Sequence, residues 1–91
     1  MAEPAPSRQR PLKVGIILPD TEREMGGQTA RWSDLVEMAQ LAEALGFDSL
    51  WNADHLLYSF PGKDLQGPWE CWSIMAALAA VTSRVEIGPL V

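Results

Sequence analysis

The chain has 91 residues, of which 47% are hydrophobic and 21% are charged, a length and composition typical of one globular domain. Seven Lys and Arg residues against twelve Asp and Glu residues give a formal net charge of −5. Nucleic acids and anionic membrane surfaces are therefore not expected partners. The longest apolar run, residues 74–81, is much shorter than the roughly 20 residues that a membrane-spanning helix needs.

The start of the chain and its cysteine content indicate a cytoplasmic protein. Residues 1–11 contain three prolines and no apolar segment, so they are not a secretory signal and are expected to form a disordered tail. Cys71 is the only cysteine, which excludes an intramolecular disulfide and a cysteine-based zinc cluster and fits a reducing compartment. We expect Cys71 to be buried and residues 12–91 to form the folded part.

The first elements along the chain are a strand and a polar loop. Residues 13–18 (KVGIIL) are rich in branched apolar side chains and are followed by Pro19, which predicts a strand buried on both faces, as in a parallel sheet. Residues 20–30 are polar and include Gly26 and Gly27, so they are predicted to form a mobile loop. A helix is expected after this loop.

A helix is predicted over residues 34–45, because the apolar residues there recur at spacings of three and four. They are Leu35, Met38, Ala39, Ala42 and Leu45. Ser33 is predicted to be the N-cap, since its hydroxyl can accept a hydrogen bond from an amide of the first turn. Gly46 is predicted to end the helix in the left-handed conformation, with Phe47 closing it by an apolar contact.

The remaining sequence predicts a second strand, a second helix and a third strand. Residues 47–53 return to an extended pattern, and residues 85–91 do so again after a helix predicted over residues 69–82. Four alanines in that helix are expected to let it pack closely on the sheet. They are Ala76, Ala77, Ala79 and Ala80. The resulting βαβαβ order belongs either to an open doubly wound sheet or to a barrel.

Two helices can cover only one face of the predicted sheet. Right-handed connections that run in one direction place both helices on the same side, whereas parallel sheets are normally covered on both faces. The last strand, residues 85–91, would also present an edge that can pair with another strand. We therefore expect the chain to be a piece of a larger α/β domain.

The residues that follow the second strand are the main candidates for chemistry. The motifs of dinucleotide-binding folds, P-loops, zincins, α/β-hydrolases and thioredoxins do not occur, which excludes those readings. Asp54 and His55 come just past the carboxyl end of a predicted parallel strand, where ligands bind in open sheets and in barrels. His55 is thus a candidate proton carrier or coenzyme contact. On the residues alone, an ordinary loop histidine bonded to its neighbours is the favoured alternative.

Other polar and aromatic residues are better explained without a site. Asp20, Glu22 and Asp54 could meet at one edge and hold a divalent cation, but a solvated loop accounts for them and no metal is expected. Glu70 complements the dipole at the start of the second helix. The four tryptophans could line a pocket, but packing in the core is the preferred explanation. They are Trp32, Trp51, Trp69 and Trp72.

Four motifs occur in a fixed order between residues 13 and 91. They are the run AEALGFDSLW at residues 42–51, the pair Asp54-His55, the E-x-W sequence that begins at Glu70, and TSRVEIG at residues 82–88. Together they closely resemble the N-terminal part of the bacterial luciferase-like monooxygenase and flavin oxidoreductase family. The resemblance implies a (β/α)8 TIM barrel, of which this chain would supply the first three strands.

The resemblance also implies a coenzyme, either FMN or a deazaflavin, at the carboxyl-end rim of the barrel. His55 would lie beside the reactive ring and, as in the deazaflavin-dependent alcohol and sugar-phosphate dehydrogenases of the family, would handle the substrate proton. Asp54 would help to bind the coenzyme and orient the site. Those dehydrogenases carry a tryptophan four positions after the histidine, where this chain has Ser59 between Tyr58 and Phe60. The phosphate-binding loops of the family belong to the last strands, beyond these three.

The expected protein is therefore an N-terminal fragment of a luciferase-like oxidoreductase or monooxygenase. It would act with FMN or a deazaflavin coenzyme on a small organic substrate, would be inactive as an isolated chain, and could form a homo-oligomer. The alternative is a truncated, non-catalytic family member that serves as an interaction or dimerisation piece. A receiver-like signalling module ranks last, because the adjacent acidic pair expected after the first strand is missing.

Overall fold

The computed structural model describes residues 12–67 and 69–91, so the tail expected over residues 1–11 lies outside the described residues. The elements in this part of the chain are β1 (Gly15–Ile17), a 3-10 helix (Glu22–Met25), α1 (Trp32–Leu45), β2 (Ser49–Ala53), α2 (Cys71–Val81) and β3 (Glu86–Leu90). None of the described helices is long and apolar enough to cross a membrane.

The three strands form one parallel sheet in the order β1-β2-β3. Ile16 of β1 pairs with Leu50 of β2, and Leu50 pairs with Ile87 of β3. The predicted βαβαβ order and the parallel pairing are confirmed, although each strand is shorter than its apolar pattern predicts. The loop that follows β1 is also less irregular than predicted, because the 3-10 helix lies within it.

The core lies on one face of this sheet, where both helices pack. Its buried residues come from the strands, the loops and both helices: Leu18, Ala30, Leu35, Ala39, Ala42, Leu50, Ile74, Leu78 and Val85. Leu50 in the central strand and Leu78 in α2 are completely buried. The expectation that both helices cover the same face is therefore confirmed.

The opposite face of the sheet is open within the described chain. Because neighbouring residues of a strand point to opposite faces, Ile17, Trp51 and Leu90 share the face that the helices do not cover. Ile17 is 54% exposed. The prediction that the first strand is buried on both faces is therefore wrong here, since no described element lies against this side.

The indole of Trp51 lies across its two neighbouring strands on the open face. A Cβ atom placed on Gly15 of β1 would lie 2.6 Å from Trp51 Nε1, and one placed on Gly88 of β3 would lie 2.8 Å from Trp51 Cζ3. Both distances are too short for a real contact. The ring can lie flat on the sheet only because both flanking residues are glycines. Its Nε1–H donates a hydrogen bond to Ser49 Oγ at 2.9 Å.

Helix α1 begins at Trp32, and its N-cap is Arg31 rather than Ser33. The Asp34 carboxylate accepts a hydrogen bond from the backbone N–H of Arg31 at 2.9 Å, an arrangement that supplies half of a capping box. This bond lowers the pKa of Asp34, with a further contribution from the Arg31 side chain. The predicted capping role of Ser33 is wrong, because the helix has already begun there.

The carboxyl end of α1 confirms the prediction. Gly46 has a φ of 95°, in the left-handed region that glycine adopts without steric cost. The next amide, that of Phe47, donates to the Ala42 carbonyl at 3.0 Å, and Phe47 packs against the core. The sharp reversal that results leads directly into β2.

Glu43 in the last turn of α1 holds the turn between α2 and β3. Its carboxylate accepts hydrogen bonds from the backbone N–H groups of Ser83, Arg84 and Val85 at 2.5–3.2 Å. Burial raises the pKa of Glu43 as the largest single effect, but the three N–H groups and the charge of Arg84 together outweigh it, so the pKa is lowered. This carboxylate therefore links α1 to the start of β3.

Helix α2 begins at Cys71, two residues after the start of the predicted range 69–82, and its N-cap is Glu70. The Glu70 carboxylate accepts hydrogen bonds from the N–H groups of Ser73 at 2.9 Å and Trp72 at 3.1 Å. A hydrogen bond from the Ser73 hydroxyl to Glu70 Oε1 at 2.7 Å, followed by these two N–H bonds, lowers the pKa of Glu70. Glu70 thus acts through direct hydrogen bonds, beyond the interaction with the helix dipole expected from its position.

The alanines of α2 do not provide its contact with the sheet. The buried residues of the helix are Cys71, Ile74 and Leu78, whose spacing of three and four residues defines the inner face. Most of the alanine set points elsewhere, since Ala76, Ala79 and Ala80 are exposed. The prediction that the alanines pack on the sheet is wrong for these three, because they lie outside the face that Cys71, Ile74 and Leu78 define.

The four tryptophans are also not core residues of the described chain. Their exposed fractions range from 36% at Trp51 to 59% at Trp72. Trp51 belongs to the open sheet face, and Trp32 and Trp69 lie at or before helix starts. Packing in the core, the preferred explanation from sequence, is therefore wrong for all four.

Candidate functional site

Two loops meet at the carboxyl end of the parallel sheet. One follows β1 and carries Asp20, and the other follows β2 and carries His55 and Tyr58. The Tyr58 hydroxyl donates a hydrogen bond to Asp20 Oδ2 at 2.5 Å, which joins the two loops directly. The predicted position of His55, just past the carboxyl end of a parallel strand, is confirmed, and the loop after β1 lies at the same edge of the sheet.

The two site residues predicted from sequence lie at the start of the second loop. The backbone N–H of Asp54 donates to the Leu90 carbonyl at 3.0 Å, so this point of the loop is fixed to β3. Both Asp54 and His55 are exposed, and the imidazole of His55 lies with its centroid 4.6 Å from that of the Tyr58 ring, at an interplanar angle of 35°. The catalytic and coenzyme-binding roles of His55 and Asp54 remain predictions.

Three rings form an aromatic row at this edge, with Tyr58 between His55 and Phe60. The Tyr58 and Phe60 rings are stacked, with centroids 5.7 Å apart and planes inclined by 6°. The backbone of Tyr58 is held by two hydrogen bonds with Gln66, one from its N–H at 2.6 Å and one to its carbonyl at 3.0 Å. Ser59 lies between Tyr58 and Phe60 in the sequence and is exposed.

Two carboxylates, those of Asp20 and Glu24, lie near the hydroxyl of Tyr58 in this aromatic row. Hydrogen bonding with Asp20 is the largest effect that raises the pKa of Glu24, followed by burial and by the charge of Asp20. Thr21, which is buried, donates its hydroxyl hydrogen to Glu24 Oε1 at 3.2 Å. Burial, followed by the hydrogen bond to Asp20, raises the pKa of Tyr58 well above its ordinary value. The Tyr58 hydroxyl therefore acts as a hydrogen-bond donor at neutral pH.

The carboxylates considered for a metal are not gathered into a cluster. Among residues 12–67 and 69–91, no three His, Cys, Asp or Glu side chains are grouped in a way that could hold a metal ion. Asp20 instead accepts the Tyr58 hydrogen bond.

A small pocket, lined mainly by apolar residues, lies beneath the two loops on the helix side of the sheet. Cys71 is 2% exposed, as predicted, and its thiol donates to the Asn52 carbonyl at 3.4 Å. Burial, followed by the charges of Asp54 and Glu70, raises the pKa of this thiol. Asn52 Oδ1 is buried with no hydrogen-bond partner among the described residues, beside a cavity of about 10 Å³.

Sequence reasoning missed the roles of Tyr58 and Asn52. Tyr58 is the only tyrosine of the chain, but its contact with Asp20 spans 38 residues and no local pattern announces it. Asn52 does carry a signal, because it follows the apolar Leu50 by two residues in the predicted strand and therefore shares the buried face of β2. That pattern indicates a buried polar group but does not identify its partner.

Comparison with known proteins identifies the family. Residues 12–91 match the family of luciferase-like monooxygenases, so the chain belongs to that family and the resemblance read from its motifs is confirmed. The chain is 47% identical over 58 residues to the F420-dependent glucose-6-phosphate dehydrogenase of Amycolatopsis mediterranei (strain U-32). That match covers 60% of this chain and 16% of the relative's length. No solved structure matches the chain.

Proposed function

We propose that this chain is the N-terminal barrel segment of a cytoplasmic, deazaflavin-dependent oxidoreductase, in which His55 takes or returns the substrate proton. The observation that carries the proposal is the position of His55, exposed at the carboxyl end of a parallel sheet and in ring contact with Tyr58. Ligands of parallel α/β folds bind at this edge. The relative's dependence on F420, a deazaflavin, favours that coenzyme over FMN.

The residues present suit the ring of such a coenzyme better than its phosphate tail. The aromatic row offers ring surfaces for stacking, and the exposed imidazole at its end adds one hydrogen-bonding group. Around them stand Asp20 and Glu24, which are carboxylates and would repel a phosphate. The phosphate-binding groups are therefore assigned to strands beyond β3, and the isolated chain is expected to be inactive.

The chemistry that we propose is the oxidation of an alcohol carbon of a small organic substrate. The bound deazaflavin supplies the hydride acceptor. His55 accepts the hydroxyl proton at an imidazole nitrogen while the C–H bond breaks and the carbonyl forms, and it returns the proton in the reverse direction. Asp54, the residue before His55, orients this part of the loop through its backbone bond to β3.

The open sheet face supports the proposal that β1, β2 and β3 are the first strands of a (β/α)8 barrel. Three large apolar side chains are exposed on this face, those of Ile17, Trp51 and Leu90. In a barrel the helices lie outside and this face is filled by side chains from the other strands. The covered face of this sheet, which holds both helices, would be the outer one.

The test uses the complete protein that carries this segment, with the deazaflavin coenzyme and a panel of alcohols and sugar phosphates. Coenzyme reduction is followed by its loss of fluorescence. We expect His55→Ala to lower kcat by about 10²- to 10⁴-fold with little change in the coenzyme Kd, because a general acid–base group acts mainly in the transition state. Leu65→Ala, an exposed residue of the same loop, is the matched control. Unchanged turnover in a folded His55→Ala protein would refute the role of His55, and turnover with FMN alone would refute the coenzyme assignment.

A second candidate function is a non-catalytic interaction piece that dimerises through the open sheet face. The exposed Ile17, Trp51 and Leu90 side chains favour it, because an apolar face of this kind is usually covered by protein. Size-exclusion chromatography of the 91-residue chain distinguishes the two. A dimer that persists on dilution would support the interaction piece, and a monomer would count against it.

A further inference from the structure

Tyr58 is held in place by contacts of its backbone, its hydroxyl group and its ring. Its backbone forms two hydrogen bonds with Gln66, its hydroxyl is bonded to Asp20 at 2.5 Å, and its ring contacts both Phe60 and His55. Asp20 belongs to the loop after β1, so the anchor of Tyr58 lies on a different strand connection from His55. Both ends of the tyrosine side chain are therefore fixed.

We infer that Tyr58 is a positioning residue that holds the imidazole of His55 in one orientation at the edge of the sheet. The inference rests on the proposed function, because it gives a purpose to the orientation of His55. An exposed histidine on a loop would otherwise exchange among its side-chain rotamers. Contact with a ring that is itself anchored to Asp20 restricts that exchange without using either imidazole nitrogen, so both stay available to a substrate.

The charge around the hydroxyl keeps this anchor in place. The Tyr58 O–H is the donor and the Asp20 carboxylate is the acceptor, which makes the bond charge-assisted and about twice as strong as a neutral one. Burial and the neighbouring Asp20 and Glu24 charges raise the pKa of Tyr58, so the phenol keeps its hydrogen at neutral and mildly alkaline pH. The row of three rings is thus fixed at its centre at neutral and mildly alkaline pH.

Correct orientation matters because proton transfer needs the two heavy atoms within hydrogen-bond reach. Misplacing a reacting group by about 1 Å can cost about 10²-fold in rate. Loss of the Tyr58 anchor should therefore slow turnover while leaving substrate and coenzyme binding largely unchanged. This pattern differs from that of a residue that only stabilises the fold.

The first experiment reads the orientation of His55 directly by proton NMR on the 91-residue chain at low temperature. His55 and Tyr58 are the only histidine and the only tyrosine, so their ring signals need no further assignment. We expect cross-relaxation between the two rings and an upfield ring-current shift of the His55 protons. Tyr58→Leu should abolish the ring-current shift. Tyr58→Phe and Asp20→Ala, which keep the ring but remove the anchor, should reduce it, and Leu65→Ala should leave it unchanged.

Far-UV circular dichroism checks that each variant is folded. If Tyr58→Leu does not fold, Tyr58→Phe and Asp20→Ala still test the inference. His55 signals that are the same in wild-type chain and in folded Tyr58 variants would overturn the inference. A His55 signal that moves only in Tyr58→Leu, and not in Tyr58→Phe or Asp20→Ala, would overturn the part of it that assigns the anchor to Asp20.

The second experiment measures turnover in the complete protein. We expect Tyr58→Phe to lower kcat by about tenfold, with KM nearly unchanged, and Leu65→Ala to have no effect. If His55→Ala leaves turnover unchanged, the proposed function fails while the NMR result still decides the orientation of His55. If His55→Ala slows turnover but neither Tyr58→Phe nor Tyr58→Leu does, the function stands and the positioning role is refuted.

Discussion

The hydroxyl of Tyr58 connects a single side chain to the pH dependence of stability. Its pKa is raised in the folded chain, first by burial and then by the hydrogen bond to Asp20, whereas the pKa of an unfolded tyrosine is about 10. The stabilisation that it contributes is therefore fully present below about pH 10 and is lost as the pH rises toward the higher folded pKa. We expect the free energy of unfolding to fall as the pH increases above 10.

Urea unfolding between pH 8 and pH 11 measures this dependence. Tyr58→Phe is the matched variant, because it keeps the ring and removes only the ionising group. Its free energy of unfolding should change less steeply with pH than that of the wild-type chain, since the contribution of the Tyr58 hydroxyl is removed. Parallel pH profiles would show that the Tyr58 hydroxyl does not interact with Asp20 in solution.

Among the secondary-structure elements, the link from α1 to the start of β3 depends on one carboxylate. Glu43→Gln removes the charge and leaves a single acceptor oxygen for the N–H groups of Ser83, Arg84 and Val85. Hydrogen bonds to a charged group contribute about 1.5–3 kcal/mol each when buried, and less at a partly exposed site. We expect a loss of about 1–2 kcal/mol in the free energy of unfolding at neutral pH.

Thermal or urea unfolding tests this value, with the exposed Glu37→Gln on the same helix as the control. Because the pKa of Glu43 is lowered in the folded chain, its stabilisation is present above its ordinary value of 4.5 and is lost as the pH falls below that. The difference between Glu43→Gln and the wild-type chain should therefore shrink in acid. A constant difference would indicate that the charge of Glu43 does not matter.

The packing of Trp51 on the sheet gives a second prediction for an element. Gly88→Ala would place a methyl carbon 2.8 Å from the Trp51 ring, so either the ring or the strand must move. Such overpacking typically costs about 1–3 kcal/mol. In a chain that already carries Trp51→Leu the same change should cost much less, because the large ring is gone. Equal costs in the two backgrounds would contradict the packing of Trp51 over Gly88.

Sequence patterns predict which helices and strands form more accurately than they predict the residue at which each helix begins. Gly46 was predictable as a helix end because the left-handed conformation is a local property of one residue. The helix starts were not, because Ser33 was a reasonable N-cap by residue type, whereas the choice of Arg31 depends on where Asp34 points. The predicted start of the second helix failed for the same reason, since the Glu70 carboxylate reaches amides two and three residues later.

On the scale of the whole molecule, sequence reasoning predicted the parallel sheet, the shared helix face and the edge at which His55 lies. Those features follow from periodicity and from the handedness of βαβ units. It could not predict the pairing of Tyr58 with Asp20 or the open position of Trp51. Tyr58 and Asp20 are 38 residues apart in the chain. The exposure of Trp51 depends on which face of the sheet the helices cover.

The open sheet face should bind apolar probes. A dye such as anilinonaphthalene sulfonate fluoresces on exposed hydrophobic surface, and Ile17, Trp51 and Leu90 form such a surface. We expect strong fluorescence with the wild-type chain and clearly less with Ile17→Ser. Leu45→Ser, which removes an exposed leucine at the end of α1, is the control and should change the signal little. Equal losses for the two variants would contradict a site on this face.

Trp51 and its two glycines also constrain the order in which the sequence can change. Positions 15, 51 and 88 are distant along the chain, yet a side chain gained at either glycine collides with the indole. A mutational path from glycine to a larger residue at position 88 is therefore open only after position 51 has become smaller, and at position 15 the Ser49 hydroxyl must move as well. Related sequences with bulkier residues at those positions should carry a reduced side chain at 51, and the reverse order would pass through a destabilised intermediate.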